Sequence, residues 1–121
     1  MTVAAFRILI VDDDPRFRRA LHLALGARGY KVDDAAGAME ALALVAIKTP
    51  DLILLDWHLP EIDGIETCRA LRALSPAPVI MSSGNRSNSR EIALAAGATD
   101  YLAKPFSIDE LLARIESALK L

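Results

Sequence analysis

Two uninterrupted apolar runs, each meeting aspartate at its end, limit the folds open to this chain more than any other feature. The first lies in Arg7–Val11, where four apolar residues follow the arginine, and it precedes Asp12, Asp13 and Asp14. The second lies in Leu52–Asp56, which itself ends on a carboxylate. Strands that are apolar at consecutive positions are buried on both faces, as in the middle of a parallel sheet. Ligands of open parallel sheets bind at the carboxyl ends of the strands. We therefore expect the chemistry of this protein at the ends of these two runs.

Weaker strands and helical patterns alternate through the rest of the chain. Apolar residues recur at i, i+3, i+4, i+7 and i+8 from Phe17, behind the helix start offered by Asp14 and Pro15. The strand at residues 30–35 carries polar side chains, which favours the edge of a sheet. The other predicted elements are strands at residues 78–82 and 99–103 and helices at residues 38–48, 63–74, 89–96 and after Ser107.

Five repeats of strand then helix predict an α/β fold with a doubly wound parallel sheet and helices on both faces. The two most apolar strands, the first and the third, are expected to be central neighbours. This gives the five-stranded order 2-1-3-4-5 of flavodoxin-like folds. A length of 121 residues suits one domain, so we expect residues 1–121 to fold as a unit.

The predicted order brings polar side chains from several strands to one edge of the sheet. Asp12, Asp13 and Asp56 would end neighbouring strands, and three carboxylates in one pocket repel one another unless a divalent cation neutralises them. Oxygen ligands favour a hard ion such as Mg²⁺. Ser83 and Lys104, at the ends of the fourth and fifth strands, add a hydroxyl and an ammonium group. These groups suit a phosphoryl group, and a carboxylate can accept one as an aspartyl-phosphate.

The residues at these strand ends resemble the receiver domain of bacterial two-component response regulators. The resemblance covers nearly the whole chain. It rests on four segments that occur in the family's order, at residues 8–15, 55–64, 79–84 and 97–106. It implies a phosphorylation-dependent signalling switch in the cytoplasm. The phosphoryl donor would be a sensor histidine kinase or a histidine phosphotransfer protein.

The resemblance implies a role for each residue of the site. Asp56 would be the phosphoacceptor, and Asp12 and Asp13 would hold Mg²⁺. Asp13, Asp56 and the backbone carbonyl of His58 would be the direct ligands. Lys104 would pair with the phosphoryl group and precede a cis peptide bond to the next proline. The domain would assist its own phosphotransfer and dephosphorylation without being an enzyme.

The resemblance also implies a pair of switch residues. Ser83 would be the switch hydroxyl and Tyr101 the aromatic residue that follows it inward, although the family usually has threonine in place of this serine. Ser82 is the alternative to Ser83, but a shift of one residue points a side chain to the other face of a strand. His58 and Asn85 occupy positions that tune dephosphorylation in this family.

The expected output face consists of the fourth helix, the fifth strand and the last helix. Asp100, Glu110 and Arg114 resemble receivers attached to winged-helix DNA-binding domains, which form homodimers through this face. Thr99, however, stands where a second acidic residue is usual. The formal net charge of −2 gives no argument for nucleic-acid binding by this segment. No apolar run is long enough to span a membrane, and the single cysteine suits a reducing compartment.

Three other interpretations compete with a phosphorylated receiver. A haloacid-dehalogenase-type phosphatase uses an Asp-x-Asp motif after a strand, which Asp12 and Asp14 match, but Asp14 precedes Pro15 and suits a helix cap better. A flavodoxin-like electron carrier needs a hydroxyl-rich phosphate loop where this chain has aspartates. A receiver-like binding module that is never phosphorylated would not need the full set of acceptor residues.

Overall fold

The computed structural model describes residues 6–84 and 87–121, and these form five strands alternating with five helices. The strands are β1 (Arg7–Val11), β2 (Lys31–Ala35), β3 (Leu52–Asp56), β4 (Val79–Gly84) and β5 (Asp100–Lys104). The helices are α1 (Pro15–Gly26), α2 (Ala38–Ile47), α3 (Gly64–Leu74), α4 (Ser89–Ala95) and α5 (Ile108–Leu119). Within this part of the chain, no helix is both long and apolar enough to cross a membrane.

The strands form one parallel sheet in the order β2-β1-β3-β4-β5, which confirms the predicted topology. β2 occupies an edge, where its Asp33 forms an ion pair with Arg7 of β1 at 2.8 Å. β1 and β3 are neighbours although β2 lies between them in the sequence. Their carboxyl ends therefore flank the crevice at which sheets of this kind bind ligands.

Alternate residues of the strands face two separate apolar layers. One layer packs against α2, α3 and α4 and includes the strand residues Leu9, Val11, Ile53, Leu55, Val79, Met81 and Tyr101. The other packs against α1 and α5 and includes Ile8, Ile10, Leu52, Leu54, Ile80 and Leu102. The continuous apolar character of β1 and β3 thus results from burial on both faces, as predicted.

Side chains accept hydrogen bonds from the free backbone N–H groups at the start of several helices. Asp14 accepts a hydrogen bond from the backbone N–H of Arg16 at 2.9 Å at the start of α1. The cap of α2 is Gly37, which has no side chain, and Glu61 from the loop after β3 supplies the acceptor instead. Its Oε1 lies 3.2 Å from the backbone nitrogen of Met39. That loop is therefore attached to α2.

The predicted caps of the other helices are confirmed to different degrees. α5 begins with a complete capping box between Ser107 and Glu110. At α3, Asp63 accepts from the backbone N–H of Glu66 at 3.0 Å. The carboxylate of Glu66 pairs with Arg69 at 2.7 Å rather than returning to the cap.

The ends of β4 and β5 differ from the sequence prediction. β4 continues past residue 82 to Gly84, and β5 runs one residue later than the predicted 99–103. Ser83 and Gly84 pair in register with Ala103 and Lys104. Hydrogen bonding between the two strands therefore holds these residues extended, despite their weak intrinsic preference for strands.

Candidate functional site

Three aspartates meet at the carboxyl edge of β1 and β3. Asp12 and Asp56 are buried, whereas Asp13 is exposed. One carboxylate oxygen from each lies within 4.8 Å of the others. A set of oxygen ligands at this spacing fits a hard divalent cation such as Mg²⁺. The structure thus brings together the three predicted metal-binding side chains.

Lys104 reaches this acidic group from the end of β5. Its Nζ lies 3.0 Å from Oδ2 of Asp12 and 3.4 Å from Oδ1 of Asp56. The peptide bond between Lys104 and Pro105 is cis, as expected. Burial disfavours the charged ammonium, but the hydrogen bond to Asp12 and the charges of Asp12 and Asp56 outweigh it, so the pKa of Lys104 is raised.

The ammonium group of Lys104 also lies over an aromatic ring. Its Nζ is 4.5 Å from the centroid of the Phe17 ring, which is within reach of a cation–π interaction. Phe17 in turn makes an edge contact with Phe106, with the two ring centroids 5.9 Å apart. The sequence predicted Phe17 only as an apolar residue of α1. Its spacing gave no indication that the ring would support the lysine.

The ionisation of Asp56 depends on opposing influences. Burial raises the pKa of this carboxyl, and the negative charge of Asp12 raises it further. The charge of Lys104 and a backbone hydrogen bond from His58 act in the other direction without cancelling the rise. A cation bound by the three carboxylates would add to the influences that favour the ionised form.

The two aspartates next to Asp12 have different surroundings. The backbone N–H of Asp14 donates to Oδ1 of Asp12 at 2.9 Å, so the turn fixes the buried carboxylate. The carboxylate of Asp14 is exposed and is used by the cap of α1. Arg18 fixes the same turn by donating to the backbone carbonyl of Asp12 at 2.7 Å. These contacts favour Asp14 as a cap over the general acid of a phosphatase.

The predicted switch residues Ser83 and Tyr101 contact each other. Their hydroxyl oxygens are 3.0 Å apart, and Tyr101 also donates to the backbone carbonyls of Ser83 and Gly84, each at 3.2 Å. Tyr101 is buried, and its ring makes an edge contact with Trp57 at 6.3 Å. The tyrosine therefore already occupies the inward position in this structure.

Ser82 lies on the other face of β4. It pairs in register with Asp56 of β3 and Leu102 of β5. Its side chain is buried, and its hydroxyl has no hydrogen-bond partner among the described residues. The sequence offered this serine only as the alternative to Ser83.

Of the two residues expected to tune dephosphorylation, only His58 lies among the residues that the structure describes. His58 is exposed and follows Asp56 by two positions in the loop after β3. Its backbone N–H favours the ionised form of Asp56, which lowers the pKa of that carboxyl. Asn85 lies outside the residues that the structure describes.

One carboxylate joins the three elements of the expected output face. Asp100 of β5 accepts from Arg90 of α4 and from Arg114 of α5, each at 2.9 Å. Burial opposes its charged form, but the backbone N–H of Tyr101 and the two arginines outweigh it, so the pKa of Asp100 is lowered. Arg114 also donates to the backbone carbonyl of Tyr101 at 3.1 Å. The face is thus connected to the inward tyrosine.

Comparison with known proteins gives consistent matches across the chain. Residues 8–116 match the family model of the response regulator receiver domain. Response regulator MprA of Mycobacterium sp. (strain KMS) is 44% identical over 116 residues, which cover 94% of this chain and 50% of that protein. MprA of Mycobacterium leprae (strain TN) is 45% identical over 116 residues, 94% of this chain and 51% of the relative. The chain therefore spans about half the length of these curated relatives.

Solved structures agree with the sequence comparison. A two-component response regulator from Clostridium difficile superposes with a TM-score of 0.91 at 30% identity, covering 95% of this chain and 96% of the other. The BeF3-activated N-terminal receiver domain of Klebsiella pneumoniae RstA superposes with a TM-score of 0.89 at 31% identity, covering 95% and 99%.

Proposed function

Because the chain belongs to the response regulator receiver domain family, we propose that it is a signalling switch that accepts a phosphoryl group on Asp56. The observation that carries this proposal is the grouping of Asp12, Asp13, Asp56 and Lys104 at one edge of the sheet. A nucleophilic carboxylate, a cation site and an ammonium group are the parts that phosphoryl transfer to aspartate requires.

In the proposed reaction, a carboxylate oxygen of Asp56 attacks the phosphorus of a phosphohistidine. The new P–O bond forms as the P–N bond breaks, and the imidazole of the donor leaves and takes up a proton. Lys104 is placed to donate a hydrogen bond to an oxygen of the transferred group, since its Nζ already lies between Asp12 and Asp56. The domain contributes positioning and charge and acts as acceptor, not as a turnover enzyme.

The acidic group would hold the Mg²⁺ ion that this reaction uses. Asp13 and Asp56 would be direct ligands together with the backbone carbonyl of His58, and Asp12 would complete the site. When bound, Mg²⁺ neutralises charge on the phosphoryl oxygens. Exposed Asp13 is the ligand most accessible to an entering ion, because Asp12 is already paired with Lys104.

The signal would leave through the face formed by α4, β5 and α5. The phosphoryl oxygens can accept hydrogen bonds from Ser83 and Lys104, and these differential contacts would shift the population toward the active state. Ser83 contacts Tyr101, and Tyr101 is connected through Arg114 to Asp100. The same face would form a homodimer. His58 and Asn85 would set the lifetime of the phosphoryl group.

The cellular setting follows from the same proposal. The donor would be a sensor histidine kinase or a histidine phosphotransfer protein in the cytoplasm, and residues 1–121 would form the receiver domain. The net charge of −2 gives this segment no reason to bind nucleic acid directly.

Intact-mass spectrometry after incubation with acetyl phosphate and Mg²⁺ tests the function directly. We expect one phosphoryl adduct on the wild type, none in excess chelator, and none on Asp56→Asn. Full labelling of Asp56→Asn would refute the assignment of the acceptor. Sustained release of phosphate from generic phosphate esters would indicate a phosphatase, and absence of any adduct would indicate an unphosphorylated binding module.

A further inference from the structure

Two adjacent serines of β4 face opposite sides of the sheet. Ser83 pairs in register with Ala103 and contacts Tyr101 on the side of α4. Ser82 pairs in register with Asp56 on one side and Leu102 on the other, so its side chain shares the sheet face of these two residues. Of the two hydroxyls, the one that neighbours the phosphoacceptor in the sheet is therefore Ser82.

The burial of the Ser82 hydroxyl calls for an explanation. The residue is 2% exposed, and its Oγ finds no hydrogen-bond partner in residues 6–84 and 87–121. A buried hydroxyl without a partner destabilises a fold, and an apolar side chain of similar size would avoid this cost. The unused donor lies beside a carboxylate that is proposed to acquire several new oxygen acceptors.

The sheet edge next to Ser82 has room for such a group. Gly84 lies two residues further along the same face of β4 and pairs in register with Lys104. A Cβ atom at Gly84 would meet no described atom within 4 Å. On this face, no β4 side chain therefore covers the sheet edge beyond Ser82.

We propose that Ser82 is a second hydroxyl of the phosphoryl site. When Asp56 carries the phosphoryl group, the hydroxyl of Ser82 donates a hydrogen bond to an oxygen of the aspartyl-phosphate. Ser83 keeps its proposed roles in binding the phosphoryl group and in the relay to Tyr101, and Ser82 adds a second hydroxyl from the neighbouring position of β4. This inference rests on the proposed function of Asp56 as the acceptor.

Ser82→Ala tests the proposal through two effects of opposite sign. Without ligand, the variant should unfold at a temperature a few degrees higher than the wild type, because the unpaired hydroxyl is gone. With Mg²⁺ and beryllofluoride, a mimic of the phosphoryl group, it should bind the mimic about tenfold more weakly, because a hydrogen bond to a charged acceptor is lost. Thermal melts with and without beryllofluoride, and a fluoride titration, measure both effects.

Ser82→Thr is the matched control, since it keeps the hydroxyl on a β-branched residue suited to a strand. It should bind beryllofluoride far better than Ser82→Ala does. Lower stability of Ser82→Ala without ligand, or unchanged affinity for beryllofluoride, would overturn the role of Ser82. If the wild type itself gains no stability from beryllofluoride and shows no phosphoryl adduct, the function proposed for Asp56 fails as well.

Discussion

At the scale of single residues, Asp56 is the group most sensitive to its surroundings. Its carboxyl is buried beside that of Asp12, and these two influences keep its pKa raised against the opposing charge of Lys104. A raised pKa means that the folded protein holds this proton more strongly than the unfolded chain does. Ionised Asp56 therefore lowers stability at pH values above its folded pKa, and the cost disappears as the pH falls below the ordinary carboxyl range.

Asp56→Asn should therefore stabilise the protein at neutral pH when chelator is present. The gain should shrink as the pH is lowered through the folded pKa of Asp56, because the wild-type carboxyl is then neutral as well. Urea unfolding of both proteins between neutral and acid pH provides the measurement.

Asp63→Asn is a suitable control, since this carboxylate is exposed and caps α3. It should show no comparable gain at neutral pH. An Asp56→Asn variant whose advantage is the same at every pH would contradict the electrostatic explanation.

At the scale of secondary-structure elements, the loop after β3 is joined to the start of α2. Glu61 supplies the cap that Gly37 cannot, and a Cβ atom at Gly37 would lie 2.8 Å from Oε1 of Glu61. The φ angle of Gly37 is −164°, which other residues adopt readily. A substitution there would therefore act by displacing the glutamate rather than by straining the backbone.

Glu61→Ala should lower the free energy of unfolding by about 1 kcal/mol, the usual cost of losing a helix cap. Gly37→Ala should lower the free energy of unfolding by a similar or smaller amount, because its Cβ would displace Glu61 from the cap. The double variant should lose little more free energy than the larger of the two single variants. Denaturant unfolding of the four proteins measures this cycle. Additive costs would show that the two residues act separately.

The proposed relay across α4, β5 and α5 gives a second prediction at this scale. Ser83→Ala removes the hydroxyl that contacts Tyr101 but leaves Asp56 and Lys104 unchanged. Beryllofluoride should therefore still shift the amide NMR signals near these two residues. Shifts in residues 99–101 and in α4 should be largely lost, because the differential contact is absent.

Tyr101→Phe is the matched variant, since it keeps the ring and its contact with Trp57 but removes the partner hydroxyl. It should reduce the same distant shifts. If Ser83→Ala retains the distant shifts of the wild type, Ser83 is not the relay.

The boundaries of these elements could be predicted where local sequence sets them and could not where contacts with distant residues set them. β1 and β3 were predicted to the residue, because their apolar runs are bounded by polar residues. The ends of β4 and β5 depend on pairing between strands that a local pattern does not contain. The cap of α2 escaped prediction because Glu61 lies 22 residues from Met39 in the chain.

At the scale of the whole molecule, the strand order assembled the site that the sequence predicted. Asp12, Asp56 and Lys104 are far apart in sequence, and the right-handed crossovers of a parallel sheet bring them together. The sequence could not give the orientation of the Ser83 hydroxyl toward Tyr101, because rotation about one side-chain bond leaves no periodic pattern.

Mg²⁺ should stabilise the entire domain through this site. At a free concentration one hundred times the Kd, the ion should add about 2.7 kcal/mol to the free energy of unfolding. Asp13→Asn should weaken Mg²⁺ binding and remove most of this gain, which thermal melts across a Mg²⁺ titration will measure. In chelator the same variant should melt higher than the wild type, because one of three crowded negative charges is gone.

Asp14→Asn is the control for that titration, because asparagine also caps helices and Asp14 lies outside the acidic group. It should retain the full gain from Mg²⁺. Equal responses of wild type and Asp13→Asn would exclude Asp13 as a ligand.

The edge contact between Trp57 and Tyr101 allows the intrinsic fluorescence of the protein to report on the site. Trp57 is the single tryptophan of the chain and directly follows Asp56, so indole emission comes from one place beside the proposed acceptor. A charged group added to Asp56 would alter the intensity of that emission. Movement of the Tyr101 ring, 6.3 Å away, would alter the transfer of excitation from tyrosine to tryptophan. Stopped-flow fluorescence at two excitation wavelengths could therefore time the chemical event and the motion of the ring separately, with no label attached.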